Sequence, residues 1–168
     1  MESESARVTT AAESRFRISA PNSKGRAIKV IALDHASERV VKSLAERQWN
    51  GATFFTASAF SATPGQHDNF AGWLSDIAGR TKNLIEEVTS ADLVVMVAQA
   101  GEDAAAASII GEACSLKRVN TTALVLGGPN ISDEALSKTL SQLRPWSLML
   151  VISGAEEYVA DMLSALRA

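Results

Sequence analysis

The segment LVVMVA at residues 93–98 decides the fold, because it is the most strand-like stretch of the sequence. Consecutive apolar residues rich in valine are typical of a strand that is buried on both faces of a parallel sheet. Further apolar runs of this kind occur at residues 28–33, 52–57, 122–126 and 148–152. Amphipathic segments with helical spacing separate the runs, and residues 73–88 fit one long helix of this type.

Strands that alternate with amphipathic helices predict a parallel sheet covered on both faces, because the crossover helices of parallel strands lie there. We therefore expect an α/β protein with a three-layer, Rossmann-like fold and a mostly parallel five-stranded sheet. Numbered along the chain, its strands are expected in the order 2-1-3-4-5. One Rossmann-like domain is expected over residues 28–168, after a flexible polar tail at residues 1–27.

Composition and charge exclude several classes of protein. The chain has 168 residues, of which 46% are hydrophobic and 21% are charged, as in globular proteins. A net charge of −3 gives no basic surface for nucleic acid or anionic lipid. The single cysteine, Cys114, excludes an internal disulfide and a cysteine-based zinc site, and it is predicted to be a small core residue. Without a secretory signal or an apolar run of membrane-spanning length, we expect a cytoplasmic protein with no membrane or nucleic-acid partner.

Several segments together are similar to those of one known family. The segment ADLVVMVAQAG at residues 91–101 is similar to the family pattern ADxVxxxAG, and IKVI (28–31) and GATFF (51–55) have counterparts in the same order. On these residues, the chain over 28–155 resembles the N-terminal nucleotide-binding half of the tubulin-like bacterial division GTPases, the FtsZ family. The resemblance implies a Rossmann-like fold whose GTP site, in the family, is formed by glycine-rich loops.

Both of those loops are degenerate in this chain. DHAS (residues 34–37) stands where the family has its first run of glycines, and GEDAAAAS (101–108) stands where it has its signature of glycine and threonine. A phosphate cradle needs small residues and a free helix N-terminus, whereas Asp34, Glu102 and Asp103 place carboxylates there. The dinucleotide pattern GxGxxG is absent from both loops. The resemblance, with these departures, implies a relative that has lost GTP hydrolysis and filament formation.

A candidate binding crevice follows from the expected strand order, because open α/β sheets bind ligands at the strand ends where that order reverses. Its residues are Asp34, His35, Ser37, Gln99, Gly101, Glu102 and Asp103, with Gly127 and Gly128 at the end of the next strand. The functional interpretation is a pocket for a small polar ligand, such as a cation or an amine- or hydroxyl-bearing molecule. The structural alternative is that these residues turn the chain and cap helices, with Ser37 capping the helix after the first strand.

Three functions stay open on these observations. The one that we expect is a non-hydrolysing ligand-binding or regulatory protein on a degenerate FtsZ-like scaffold. The alternatives are a small metal-assisted enzyme that uses Asp34, His35, Glu102 and Asp103, and an unorthodox GTP or dinucleotide binder. His35 and His67 each lie beside an aspartate, but neither belongs to a metal-binding motif, so we expect surface histidines and assign no metal, cofactor or catalytic residue.

The expectation about a protein partner rests on two tryptophans, Trp73 and Trp146. An exposed tryptophan among apolar neighbours marks a subunit contact, whereas core or partly buried packing is the usual role of this residue. A homodimer or other homo-oligomer is therefore among the expected partners, and the packing of Trp146 bears on it.

Overall fold

A seven-stranded sheet organises the part of the chain that the computed structural model describes, residues 25–57 and 73–168. Its strands, in chain order, are β1 (Ile28–Ala32), β2 (Ala52–Thr56), β3 (Trp73–Asp76), β4 (Thr81–Asn83), β5 (Leu93–Gln99), β6 (Asn120–Leu126) and β7 (Met149–Ser153). Across the sheet the order is β4-β3-β2-β1-β5-β6-β7. The pairs β2–β1, β1–β5, β5–β6 and β6–β7 are parallel. The α/β class is confirmed, and the five strands that the sequence predicts lie next to one another in the predicted order.

Helices cover both faces of the sheet. They are α1 (His35–Ala45), α2 (Leu84–Thr89), α3 (Ala106–Lys117), α4 (Asp133–Leu143) and α5 (Glu156–Ala165). Alternate residues of β5 join two separate core clusters: Val94 and Met96 pack with α2, α3 and α4, whereas Val95 and Val97 pack with α1 and α5. The central strand is therefore apolar on both faces, and the three-layer arrangement is confirmed. Within the described ranges, no helix has the length and apolar character needed to cross a membrane.

The prediction of five strands was wrong, because residues 73–88 do not form one long helix. β3 and β4 form an antiparallel hairpin on the outer side of β2, and only Leu84–Thr89 is helical. Gly79, with φ +78°, lies in the turn, a conformation that an α-helix does not accommodate. The Asp76 carboxylate accepts the backbone N–H of Arg80 at 2.8 Å and lies 2.8 Å from Arg80 Nε. These contacts lower the pKa of Asp76 and fix the turn.

Trp146 is part of the chain's own packing. It ends the 3₁₀ turn Arg144–Trp146, is partly buried and packs against the core cluster on the α3 side. A Cβ atom at Gly111 of α3 would lie 2.5 Å from Trp146 Cβ and 2.8 Å from Cγ and Cε3. The usual role of a tryptophan therefore applies here, and Gly111 is the residue that lets the indole approach the helix.

Some predictions fall on residues outside the described part of the chain. They concern residues 1–24 of the predicted tail, the predicted loop at 58–70 with His67, and the side chain of Trp73.

We predict that Gly111→Ala destabilises the protein by about 1–3 kcal/mol, because the added methyl group overlaps the fixed Cβ of Trp146. The overlap outweighs the gain of about 1 kcal/mol in helix propensity. Gly128→Ala is the matched control, since a Cβ there has no atom within 4 Å. Urea unfolding followed by circular dichroism measures both variants. Equal stability of Gly111→Ala and the parent protein would contradict this packing.

Candidate functional site

Asp34 is the centre of the predicted crevice. It follows β1, which lies between β2 and β5, so the chain leaves the sheet where the strand order reverses. One carboxylate oxygen of Asp34 accepts the backbone N–H of Ser37 at 2.7 Å, and the other accepts the backbone N–H of Gln99 at 2.8 Å. Asp34 is only 6% exposed. Its carboxylate therefore joins the end of β1, the first turn of α1 and the end of β5.

The cap of α1 is Asp34, so the prediction that Ser37 caps this helix was wrong. Ser37 is fully buried three residues later, where its hydroxyl accepts the Asp34 backbone N–H and donates to the Asp34 carbonyl oxygen. The two residues form a reciprocal capping box. The carboxylate at this position also has a favourable interaction with the helix dipole. The N-terminus of α1, which would attract a phosphate in a nucleotide-binding protein, thus carries a negative charge of its own.

His35 does not join Asp34 in the crevice. Its side chain is 92% exposed on α1, where Nδ1 lies 3.3 Å from a carboxylate oxygen of Glu38. Glu38 also pairs with Lys42 one turn later. The imidazole is therefore a surface group, as the sequence predicts.

The acidic loop, residues 99–105, is folded back on the protein. The Gln99 carbonyl oxygen accepts the N–H of Glu102 at 3.1 Å, and Gly101 has φ +91° in the turn between them. The Gln99 N–H donates to Asp34, and the other backbone N–H groups of this loop that have partners donate to Leu126 O (from Ala100), Thr139 Oγ1 (from Gly101), Gln142 Oε1 (from Ala104) and Asp103 Oδ1 (from Ala105). A phosphate cradle needs free N–H groups of this kind. Here most of them already donate within the protein.

Two residues of α4 hold the acidic loop in place, and the sequence analysis missed both. Thr139 is fully buried, accepts the Gly101 N–H at 2.9 Å and donates to the Glu102 carbonyl oxygen at 3.1 Å. Gln142 accepts the Ala104 N–H at 2.8 Å and donates to the Asp103 carboxylate at 2.7 Å. The available signal was a threonine within the apolar stripe of a helix, beside Leu140 and Leu143.

The surface at the carboxyl ends of β1 and β5 is acidic. Glu102 and Asp103 are exposed, and neither they nor Asp34 form an ion pair with any described Lys or Arg. Asp103 engages Gln142 and the Ala105 N–H, so Glu102 is the carboxylate that faces solvent most freely. This arrangement repels a polyphosphate and attracts a cation or an ammonium group.

Gly127 and Gly128 lie at the carboxyl end of β6, beside this acidic surface. The Gly127 N–H donates to Ser153 O at 2.8 Å, which ties the end of β6 to the end of β7. Gly128 is exposed, and a Cβ atom added there would have no atom within 4 Å. These glycines end the strand without any close contact that requires glycine, which favours the turn interpretation.

A separate cavity of about 510 Å³ opens near the amino ends of β1 and β2, away from the predicted crevice. Its lining residues are Gly25, Arg47, Gln48, Trp49, Asn50, Ser164, Arg167 and Ala168. They precede β1, follow α1 or end α5, so none of them belongs to the predicted crevice. The described residues also contain no group of three or more histidine, cysteine and acidic side chains arranged to hold a metal ion.

Cys114 lies in α3 and is 1% exposed, so its prediction as a core residue is confirmed. Burial raises the pKa of the Cys114 thiol to about 12. A neutral, buried thiol is a poor nucleophile.

Comparison with known proteins finds no family that matches the chain and no curated protein with significant similarity to it. The relationship to the FtsZ family stays a prediction from the residues quoted above.

We predict that Asp34→Ala lowers the free energy of unfolding by about 2–4 kcal/mol, because a cap is lost and two backbone N–H groups lose their acceptor. Asp34→Ser keeps the cap but not the bond to Gln99, and it should cost about half as much. Glu102→Ala, an exposed carboxylate on the same edge, should change stability by less than about 0.5 kcal/mol. Urea unfolding separates the three variants. Equal effects of Asp34→Ala and Glu102→Ala would contradict the role given to Asp34.

We predict that the native Cys114 thiol reacts with a thiol reagent at pH 8 at least about a hundredfold more slowly than in the unfolded chain, because little of it is ionised or accessible. The same shift predicts a loss of stability at high pH. The unfolded thiol ionises near pH 9 and the folded one near pH 12, so unfolding becomes easier as the pH rises between them. Cys114→Ala should abolish both effects. Rapid labelling of the native protein would show that α3 does not bury the thiol.

Proposed function

We propose that this protein is a non-hydrolysing regulatory protein on a Rossmann-like scaffold, in which its own groups occupy the positions that seat phosphates in nucleotide-binding relatives of that fold. It works by binding a partner or a small polar ligand rather than by nucleotide turnover. The observation that carries the proposal is the Asp34 carboxylate, whose oxygens lie 2.7 Å and 2.8 Å from two backbone N–H groups.

The chemistry of that contact supports the proposal. Helix N-termini at the carboxyl ends of parallel strands bind phosphate through backbone N–H groups and the helix dipole. A carboxylate has the same charge sign and accepts the same donors, so it substitutes for the anion. Asp34 is buried, and a second anion at this place would have to displace it from Ser37 and Gln99 against the repulsion of Glu102 and Asp103.

The acidic loop supports the same conclusion independently. A GTP or dinucleotide site in this loop would require the N–H groups of Gly101 and Ala104 to turn from α4 to the ligand. Leaving buried Thr139 and half-buried Gln142 without those partners costs free energy for each group left unsatisfied. The binder of GTP or of a dinucleotide is therefore the less favoured candidate.

The metal-assisted enzyme is also less favoured. A metal centre at the carboxyl ends of β1 and β5 would use Asp34, His35, Glu102 and Asp103 as ligands. Both oxygens of Asp34, however, already accept backbone N–H groups. The His35 imidazole is on the solvent side of α1 beside Glu38. A small ammonium or cationic ligand held at the exposed Glu102 fits this acidic surface better than a metal with several protein ligands.

We predict that GTP, NAD⁺ and pyrophosphate leave the thermal unfolding temperature of the full chain unchanged, with or without Mg²⁺. Any ligand that binds the native state raises it, and a ligand at 100 times its Kd stabilises by about 2.7 kcal/mol. A concentration-dependent rise with GTP would contradict the proposal. A rise with Mg²⁺ or Mn²⁺ that disappears in Asp34→Ala/Asp103→Ala would favour the enzyme instead.

The same assay gives a positive test. Asp34→Gly empties the anion position and restores the small residue that a phosphate cradle uses. We expect inorganic phosphate to raise the unfolding temperature of Asp34→Gly more than that of the parent protein. Glu102→Gly is the matched control, and phosphate should not distinguish it from the parent. No difference between the two variants would contradict the idea that the carboxylate fills an anion site.

A further inference from the structure

Among the described residues, β7 is one edge of the sheet and has a strand neighbour, β6, on one side only. Apolar side chains on and beside it are exposed: Leu148 by 77%, Met149 by 43% and Ile152 by 50%. The sequence of this strand, MLVIS, has the apolar run of a strand buried in the middle of a sheet. Its composition therefore fits a strand that is covered on the side where the described chain leaves it open.

The opposite edge of the sheet has the protection that β7 lacks. β4 has only three residues, Thr81–Asn83, and contains Lys82. Short length and a lysine are the usual devices that prevent an edge strand from pairing with another chain. β7 has five residues with no charge and no proline. Of the two edges, only β7 is suited to accept a further strand.

We propose that β7 pairs antiparallel with β7 of a second copy of this chain across a two-fold axis, which joins two seven-stranded sheets into one. An antiparallel pair of identical strands is self-complementary, so both copies use the same surface and the assembly closes as a dimer. This inference concerns an interaction surface and does not depend on the proposed function.

Charge at the two ends of β7 selects the second copy as the occupant. Arg144 precedes the strand, and Glu156 and Glu157 follow it. All three are exposed, and none forms an ion pair with another described residue. Antiparallel pairing brings the basic end of each strand to the acidic end of the other, twice in the dimer. A parallel pairing would bring like charges together.

The dimer also covers the exposed apolar side chains. Successive residues of a strand point to opposite faces, so Met149 and Ile152 lie on different faces of the joined sheet. Each would meet side chains of the partner's β7 on its own face, because cross-strand neighbours in antiparallel pairs lie about 5 Å apart. Tyr158, 47% exposed in the first turn of α5, lies close to the acidic end of the same surface.

Sedimentation equilibrium of the full chain tests the inference, with a concentration-dependent dimer as the expected result. Ile152→Lys should raise the dimer dissociation constant by about tenfold or more, because it places a lysine on the edge. Ile77→Lys is the matched control: Ile77 is 40% exposed in the hairpin turn at the other edge of the sheet, and this variant should dimerise like the parent. Circular dichroism verifies that both variants fold.

Charge reversal tests the antiparallel geometry. Arg144→Glu alone and Glu156→Lys/Glu157→Lys alone should each weaken the dimer, since each homodimer then places like charges together twice. An equal mixture of the two variants should form dimers as tightly as the parent chain, because both contacts regain opposite charges.

A chain that stays monomeric at every concentration would overturn the inference, as would a dimer that Ile152→Lys leaves intact or a mixture that restores nothing. Growth into open-ended aggregates rather than a dimer would also contradict a closed two-fold contact. Failure here leaves the nucleotide assays of the proposed function unaffected, because those assays report on Asp34 and the acidic loop at the carboxyl ends of β1 and β5, and not on β7.

Discussion

The buried carboxylate of Asp34 holds together the place in the fold where a ligand site would be expected, the carboxyl ends of the strands at which the strand order reverses. Asp34 follows β1 at the point where the strand order reverses. It caps α1 and accepts the backbone N–H of Gln99, the last residue of β5. A buried carboxylate is tolerated only when donors satisfy it, and two backbone N–H groups do so here. The helix, the sheet and the crevice between them are thus joined by a single side chain whose two oxygens already have hydrogen-bond donors within the protein.

The consequence extends to the neighbouring loop. Because the Asp34 carboxylate holds the Gln99 N–H, the acidic loop begins at a fixed point and turns through Gly101 onto α4. Thr139 and Gln142 then take up its N–H groups from the helix side. In nucleotide-binding proteins of this architecture, a helix N-terminus and a loop at the strand ends form an open phosphate site. Here the N-terminus of α1 and the acidic loop are instead hydrogen-bonded within the protein. The charges that remain exposed there are the carboxylates of Glu102 and Asp103, which suit a cation, an amine or a basic protein surface.

The sequence predicts the parts of the fold that depend on local pattern. The apolar run of β5 places it at the centre of the sheet, and the alternation of strands and helices predicts the order of the five parallel strands correctly. The turn at Gly79 is not predicted because the apolar residues Leu74, Ile77, Leu84 and Val88 recur at spacings that also fit an amphipathic helix. In the structure Gly79 has a positive φ and Asp76 binds Arg80 across the turn of a hairpin.

The remaining features depend on contacts between distant residues, which local pattern does not reveal. Thr139 contacts Glu102 and Gln142 contacts Asp103 although more than thirty positions of the chain separate each pair, so no motif marks them as partners. β7 is an edge strand in the predicted order as in the observed one, but its composition is that of an interior strand, and only the structure shows that Met149 and Ile152 are exposed along it. The resemblance to the FtsZ family concerns mostly buried elements, whereas the residues that determine ligand chemistry are the ones in which this chain departs from it.

The backbone amides of Ser37, Gln99 and Gly101 report directly on whether the protein's own groups occupy the anion position. Their signals in ¹H–¹⁵N NMR spectra can be followed while pyrophosphate is added to the full chain. We expect these three signals to stay where they are, because each N–H already donates to a side-chain oxygen of the protein. Saturable shifts of the same three amides would mean that an outside anion displaces Asp34 and Thr139, and would contradict the closed site.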